Sequence, residues 1–516
     1  MVTSQLRIEA IMTRLRALQR DTWVALAVFV VAALLRFNHL NVITDNYDEG
    51  VYTASLRSLA SGHVLYAQIY HAQPPLFLYL LLPWYQLFGQ TMLAARTGVV
   101  LYSLLGLAAM WWLGRSLGGP RVGLVALVLL SFDPLYLAQS RAVMAEAPAL
   151  AFAILAVAIA ATLRERQDER LAALAGACFL VSMLIKLFTL PAIIPIAIWL
   201  LRPTGWPALA RTLAHERRLP TWAELRAAWQ SSQRTVIAFA AGLAVVVAIT
   251  LVLIGSNFSS AWSQMVGLHV AATGAFTSQR LQNLGLFLSL GWDYIMIVTG
   301  LVAGWLGWRQ RRWDVALVAI WGLASAFVLA IQTPLFDHHL TLLAPPFALA
   351  AASLMGLLPE RIGFTIPEPA RQYFLPALVM LAFVANLGQS IALENAQIQH
   401  PPAQVALAAV ELDQFAPQGG LVVTDDQTIA DIANRAIPAP VVDTSYVRIS
   451  SGKLTTQQVI AAASDPRVVA ILWYSGRFDY LPGFHTWVTQ HYTRVVAYDG
   501  GAHGLYLRLP QTAPVG

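Results

Sequence analysis

The residues best equipped for chemistry are few and far apart in the chain. "NYDEGVY" carries the adjacent acids Asp48 and Glu49. "QSRAVMAEAPAL" carries Arg141 and Glu146, "LVSMLIKLFTLPAIIP" carries Lys186, and "TPLFDHHLTLLAPP" carries Asp337, His338 and His339. A carboxylate beside an acceptor hydroxyl can take its proton as a general base. Arginine and lysine stabilise charge on a departing phosphate. The set therefore suits group transfer with a phosphate leaving group. Asp48 and Glu49, as neighbours, point about 100° apart on a helix, so one faces the reacting centre and the other orients or coordinates. Lys186 is one of only two lysines, the other being Lys453. It either snorkels to the interface or offers a point charge to a phosphate. Adjacent histidines lack the i,i+4 spacing of a helical metal pair. A zinc site there is a weak reading, and hydrogen bonding to a polar headgroup is equally open. Each group also has a plainer reading: a solvated acidic loop, interfacial anchors for Arg141 and Glu146, and a polar loop for the histidines.

The elements that must position these groups are membrane helices. Of 516 residues, 57% are hydrophobic and 12% charged, with a mean hydropathy of +0.60. Soluble domains carry about 25% charged residues. The net charge of +6 is unevenly placed and reads as topology, not as nucleic-acid binding. The single cysteine, Cys178, forms no internal disulfide and leaves the redox compartment open. Apolar runs lie near 22–40, 93–113, 121–139, 147–163, 171–187, 188–201, 235–254, 290–307, 313–331, 339–358 and 373–392, eleven expected spans. The first follows a basic N-terminus, residues 1–21, that is long for a signal peptide and is expected in the cytoplasm. The apolar stretch 74–89 is short and interrupted by Pro83, and reads as a helix lying along the interface.

Parity then fixes sides. With the N-terminus inside, the Asp48–Glu49 loop lies outside and the Arg-rich loop 203–234 inside, provided 171–201 makes two short spans. The positive-inside bias favours that choice. Arg141, Glu146, Lys186 and the histidine pair then share the outer rim with Asp48. Charge at a helix centre costs about 2.5–3.5 kcal/mol on insertion scales and is usually functional. Transporters more often place such groups near mid-membrane on broken helices.

From residue 393 the chain turns polar, with ten acids against seven Lys/Arg from Glu394 onward. "GGLVVTDD", "APVVDTS", "VVAILWYS", "YTRVVAYDG" and "HGLYLRL" read as strands, with "QTIADIANRA" and "TTQQVIAAASD" as helices between them. This predicts a small α/β domain over 393–516 on the outer side. Asp425 and Asp426 read as a strand-end loop.

The motifs taken in order, "YDEGVY", "QPPLFLYL", "FGQTMLAARTGVV", "SRAVMAEAPAL", "IKLFTLPAIIP" and "DHHLTLLAPPFALAA", resemble the GT-C membrane glycosyltransferases. The resemblance is to the protein O-mannosyltransferase and aminoarabinose (lipid A) transferase superfamily; it covers roughly residues 22 to 390 and implies a transmembrane catalytic domain over 22–392. The resemblance implies a polytopic helical enzyme of about 11 transmembrane helices plus an interfacial helix. It further implies transfer of a hexosyl or pentosyl group from a polyprenyl-phosphate donor to a hydroxyl of a glycan, lipid or protein acceptor. Asp48 would be the catalytic acid of the first outer loop, with Glu49 beside it. Arg141 and Glu146 match an arginine followed by an acid in the second outer loop. Lys186 matches a lysine near the donor phosphate, with His338 or His339 as further phosphate contacts. Relatives in the aminoarabinose group have Lys before Pro-Pro where this chain has Gln73, and His71 is the candidate substitute. No metal ligand is assigned; Mg or Mn remains an open cofactor. The C-terminal domain is expected to bind acceptor or to act as a cap. The competing readings are a transporter or flippase of a lipid-linked sugar, and a scaffold displaying the C-terminal domain.

Overall fold

The computed structural model describes residues 2–212, 218–276, 280–288, 290–291, 293–357, 370–399 and 402–509. The N-terminal basic segment and first apolar run form one continuous helix, α1 (Val2–Phe37). The acid pair opens a short helix, α2 (Tyr47–Ala60), whose first turn holds Asp48 and Glu49. Asn46 caps it, its side chain accepting from the Glu49 N–H. Negative charge at that end is favoured by the helix dipole. The stretch broken by proline forms α3 (Leu76–Leu87), with Pro83 inside it. At 12 residues it is about 18 Å long, too short to cross a bilayer of about 30 Å. The next helix, α4 (Met92–Gly118), packs against α3 and the helix Glu146–Leu163.

Six helical stretches among the described residues have both the length and the hydropathy of a membrane span: Met92–Gly118, Glu146–Leu163, Trp222–Ala275, Trp313–Ile331, Asp337–Gly356 and Gln372–Ala396. Other expected spans form shorter helices, including Pro120–Ser131, Glu169–Ile185 and Asp293–Arg309. The apolar core between them buries Leu107, Met110, Leu130, Ile154, Trp321 and Phe347.

The doubtful pair 171–201 is a helix (Glu169–Ile185) broken at Lys186, a 3₁₀ turn (Leu187–Ala192) and a second helix (Ile193–Leu201). Lys186 itself is extended, at φ −153 and ψ 121. Pro191 has no N–H to continue a helix, and the Ser182 hydroxyl donates to Ala149 O and Thr189 Oγ1. Irregular backbone between membrane helices is tolerated where it lines a cavity, and Lys186 lines one. Similarly, the histidine pair sits in a 3₁₀ segment (Asp337–Leu343) that leads into the helix Ala344–Ser353.

The helix Ala370–Gln399 leads into the C-terminal domain. That domain holds a four-stranded sheet of β1 (Leu421–Thr424), β2 (Val468–Trp473), β3 (Tyr492–Tyr498) and β4 (His503–Arg508), ordered β1-β2-β4-β3. β1 and β2 are parallel; the other pairs are antiparallel. The expected strand in "APVVDTS" is instead a 3₁₀ turn, Ala439–Val441. Pro438 and Pro440 remove ladder donors there, and the Asp443 carboxylate accepts from Ser445 N.

The start of α2 is fixed to the membrane helices by a buried ion pair. Glu49 is 0% and Arg96 3% exposed. Arg96 Nε and Nη2 each donate to the Glu49 carboxylate at 2.7 Å. Thr44 Oγ1 (2.8 Å) and Val143 N (2.7 Å) complete its shell. Arg96 Nη1 spends its remaining donors on Leu40 O and Val42 O. Removing one partner of such a pair leaves an uncompensated buried charge. Arg96→Met is expected to destabilise the protein by about 3–5 kcal/mol, read as a fall in apparent melting temperature in detergent. Arg96→Met with Glu49→Gln should recover part of that loss, and equal melting of both variants would contradict the pairing.

Candidate functional site

A cavity of about 700 Å³ opens where α2, the Lys186 break, the histidine segment and the C-terminal domain meet. Asp48 lies on its wall with Lys186, His338, His339 and His71. Glu49, one residue on, faces Arg96 and not the cavity. The two acids thus do diverge as the helix spacing requires, and the expected catalytic role for Glu49 gives way to an anchoring one.

Asp48, Glu146, Lys186 and His338 form one charge cluster. Lys186 Nζ is 2.6 Å from Glu146 Oε1. His338 Nε2 lies 3.8 Å from Asp48 Oδ2 and 3.7 Å from Glu146 Oε1, bridging the two acids. Asp337 Oδ1, 3.6 Å from His338 Nδ1, orients the ring from behind. Glu146 is the first residue of its helix, with Pro148 in the first turn, so the peptide dipole supports its charge. Lys186 and Glu146 are both buried, and the ammonium also lies 5.7 Å from the Phe188 ring centroid. The Asp48 side chain is 46% exposed, and the surface it exposes lies on the cavity wall. Loss of bulk solvation therefore raises its pKa above the usual carboxylate value, and His338 and Lys186 pull it back down.

The remaining expected contacts differ from expectation. His71 is buried and pushed down to about 3 by burial, so it meets a ligand as a neutral ring and not as a cation. Its Nε2 has no hydrogen-bond partner among the described residues. His339 is buried between Phe188 and His338, at ring-centroid distances of 4.6 Å and 4.4 Å, and its Nδ1 accepts from Phe336 N. Arg141 is not brought to Lys186. It pairs with Glu394, donates to Asn38 O, and faces a neighbouring cavity of about 400 Å³. The two cavities share Asp45, Asn46 and Gln139 on their walls. The expectation that Arg141 joins the phosphate cluster is corrected accordingly: Glu394, 253 residues away in sequence, claims its charge.

Sequence reasoning missed Tyr47, His269, Asp443, Tyr446 and Arg477, all on the cavity wall. It also missed Arg96, although an arginine inside an apolar run carries the same cost used to single out Lys186. Asp425 and Asp426 are strand-end groups. Asp425 accepts from the backbone of Tyr474, Ser475, Arg477 and Phe478, which fixes the loop that presents Arg477. Asp426 caps the helix Gln427–Ile432.

Glu146, His338 and His339 bring ligand atoms within 4.8 Å of one another, a spacing that suits a metal ion. Lys186 occupies the same Glu146 oxygen, and its ammonium opposes a second cation there. The arrangement fits an ion-pair network better than a metal centre.

The Asp48 shift gives a pH prediction. For a reaction in which Asp48 serves as base, the rate rises as pH passes upward through the Asp48 pKa, because only the carboxylate accepts the proton. His338 is the largest influence lowering that pKa. His338→Gln should therefore move the acid limb of the pH–rate profile to higher pH. A shift to lower pH would contradict the assignment.

Comparison with known proteins agrees with this architecture. Residues 72–216 match the family model described as dolichyl-phosphate-mannose-protein mannosyltransferase. No curated protein sequence gives a significant match. ArnT of Cupriavidus metallidurans, in a crystal structure bound to undecaprenyl phosphate, superposes with a TM-score of 0.62 at 16% identity, over 95% of this chain and 98% of that one. The oligosaccharyltransferase AglB of Archaeoglobus fulgidus, in complex with an inhibitory peptide and a dolichol-phosphate, gives 0.53 at 13% identity, over 95% and 75%. The arabinofuranosyltransferase AftD from Mycobacteria gives 0.51 at 13% identity, over 94% and 40%. The chain is a multi-pass membrane protein with the GT-C glycosyltransferase fold.

Proposed function

We propose that the chain transfers a sugar from a polyprenyl-phosphate donor to an acceptor hydroxyl, with Asp48 as the general base. The observation that carries this reading is the convergence of Asp48, Lys186 and His338 on one cavity beneath the C-terminal domain. The ligands named for the similar structures, undecaprenyl phosphate and dolichol-phosphate, support a lipid-phosphate donor. The parity of the apolar runs supports an active site on the outer face of the membrane.

In the proposed reaction the acceptor oxygen attacks the anomeric carbon as the bond from that carbon to the phosphate oxygen breaks. The acceptor proton passes to Asp48. The donor phosphodiester carries one negative charge and the departing lipid phosphate gains a second. Lys186, held in place by Glu146, offers its ammonium to that developing charge, and His338 sits beside it. A single in-line displacement inverts the anomeric configuration.

The test is incubation of purified protein in vesicles with a polyprenyl-phosphate donor labelled in the sugar. The expected result is release of lipid phosphate with the sugar in a new linkage of opposite anomeric configuration. Lys186→Gln should reduce turnover by about 10²-fold or more. Label that crosses the membrane in its original linkage would sink the reading in favour of transport.

A further inference from the structure

The residue before the base makes contacts that the reaction above does not use. Tyr47 is the first residue of α2; it stands on the cavity wall beside Asp48, and its hydroxyl reaches the C-terminal domain. Its hydroxyl accepts from Thr444 N at 2.9 Å and lies 3.5 Å from Asp443 Oδ1. The Arg477 guanidinium lies 3.7 Å from its ring centroid, a cation–π contact in a partly desolvated setting. The flanking residues are gripped by the same domain. Thr428 Oγ1 donates to Asn46 O at 2.8 Å. Gly50 lies so close to that domain that a Cβ would fall 2.3 Å from Thr428 N, so only glycine permits the approach.

Three consecutive residues thus have three different partners: the Tyr47 hydroxyl meets the C-terminal domain, Asp48 faces the cavity and Glu49 pairs with Arg96. We propose that Tyr47 is a positioning residue for Asp48, and that the C-terminal domain is part of the catalytic apparatus because it holds the first turn of α2 through Tyr47. The proposal rests on the reading of Asp48 as base. Glu49 alone fixes one side of the turn. The Thr444 and Arg477 contacts fix the other and remove the rotation that would swing Asp48 away from the acceptor. Small misplacement of a reacting group can cost about 10²-fold in rate.

The experiment uses the full chain in detergent or nanodiscs and has two readouts. Amide hydrogen exchange reports the clamp without reference to activity. Tyr47→Phe, which removes the hydroxyl and keeps the ring, should speed exchange at residues 47–52 and leave α4 unchanged. Transfer kinetics report the link to the base. Tyr47→Phe should lower kcat about tenfold, and Tyr47→Ala about 10²-fold, each with donor KM within twofold of wild type. Arg57→Gln breaks a separate contact between α2 and this domain, the 3.5 Å pair with Asp431, and should leave kcat within twofold. Unchanged exchange in Tyr47→Phe overturns the clamp. A raised KM at constant kcat, or an equal kcat loss in Arg57→Gln, overturns the positioning role. If the wild type transfers no sugar, the proposed function fails, and the exchange result still decides the clamp.

Discussion

The site depends on one buried ion pair, Glu49 with Arg96. A carboxylate at 0% exposure is tolerated only when its charge and its lone pairs are met. Here a bidentate guanidinium, a hydroxyl and a backbone N–H meet them. The same arginine also binds Leu40 O and Val42 O, so it ties the strand of chain leaving α1 to the start of α2. That tie anchors one side of the first turn of α2. With Glu49 turned inward, the helical offset of about 100° per residue turns Asp48 toward the cavity.

The second half of the site is set by broken helices. An uninterrupted helix through 171–201 would place Lys186 wherever its face happened to fall. The break instead releases the lysine toward Glu146, at the N-terminus of the adjoining helix. His338, on a 3₁₀ segment and not a regular helix, reaches both acids. A cluster of two carboxylates, one ammonium and one imidazole is close to balanced in charge.

Much of this was legible in the chain. The shortness of 74–89, the interruption near Lys186 and most strands of the C-terminal domain follow from local signals: a proline, a charge between two apolar runs, an alternating run. The shared location of Asp48, Glu146, Lys186 and His338 followed from parity, because each helix carries its end to one face or the other. Pairing was not legible. Arg96 is 47 residues from Glu49 and Glu394 is 253 from Arg141, and no periodicity links them. The sequence therefore read Glu49 as a catalytic neighbour of Asp48 and Arg141 as a phosphate contact, when distant partners pair with both. The cavity wall from the C-terminal domain was illegible for the same reason, since Tyr47 meets Thr444 across 397 residues.

The division between Asp48 and Glu49 is the central claim, and adjacent acids allow a direct comparison. Transfer rate and apparent melting temperature should be measured side by side for Asp48→Asn and Glu49→Gln. The account predicts that Asp48→Asn loses transfer by at least about 10²-fold and melts like wild type, while Glu49→Gln melts markedly lower. An Asp48→Asn protein with near-normal transfer, or a Glu49→Gln protein with full stability and no activity, would contradict it.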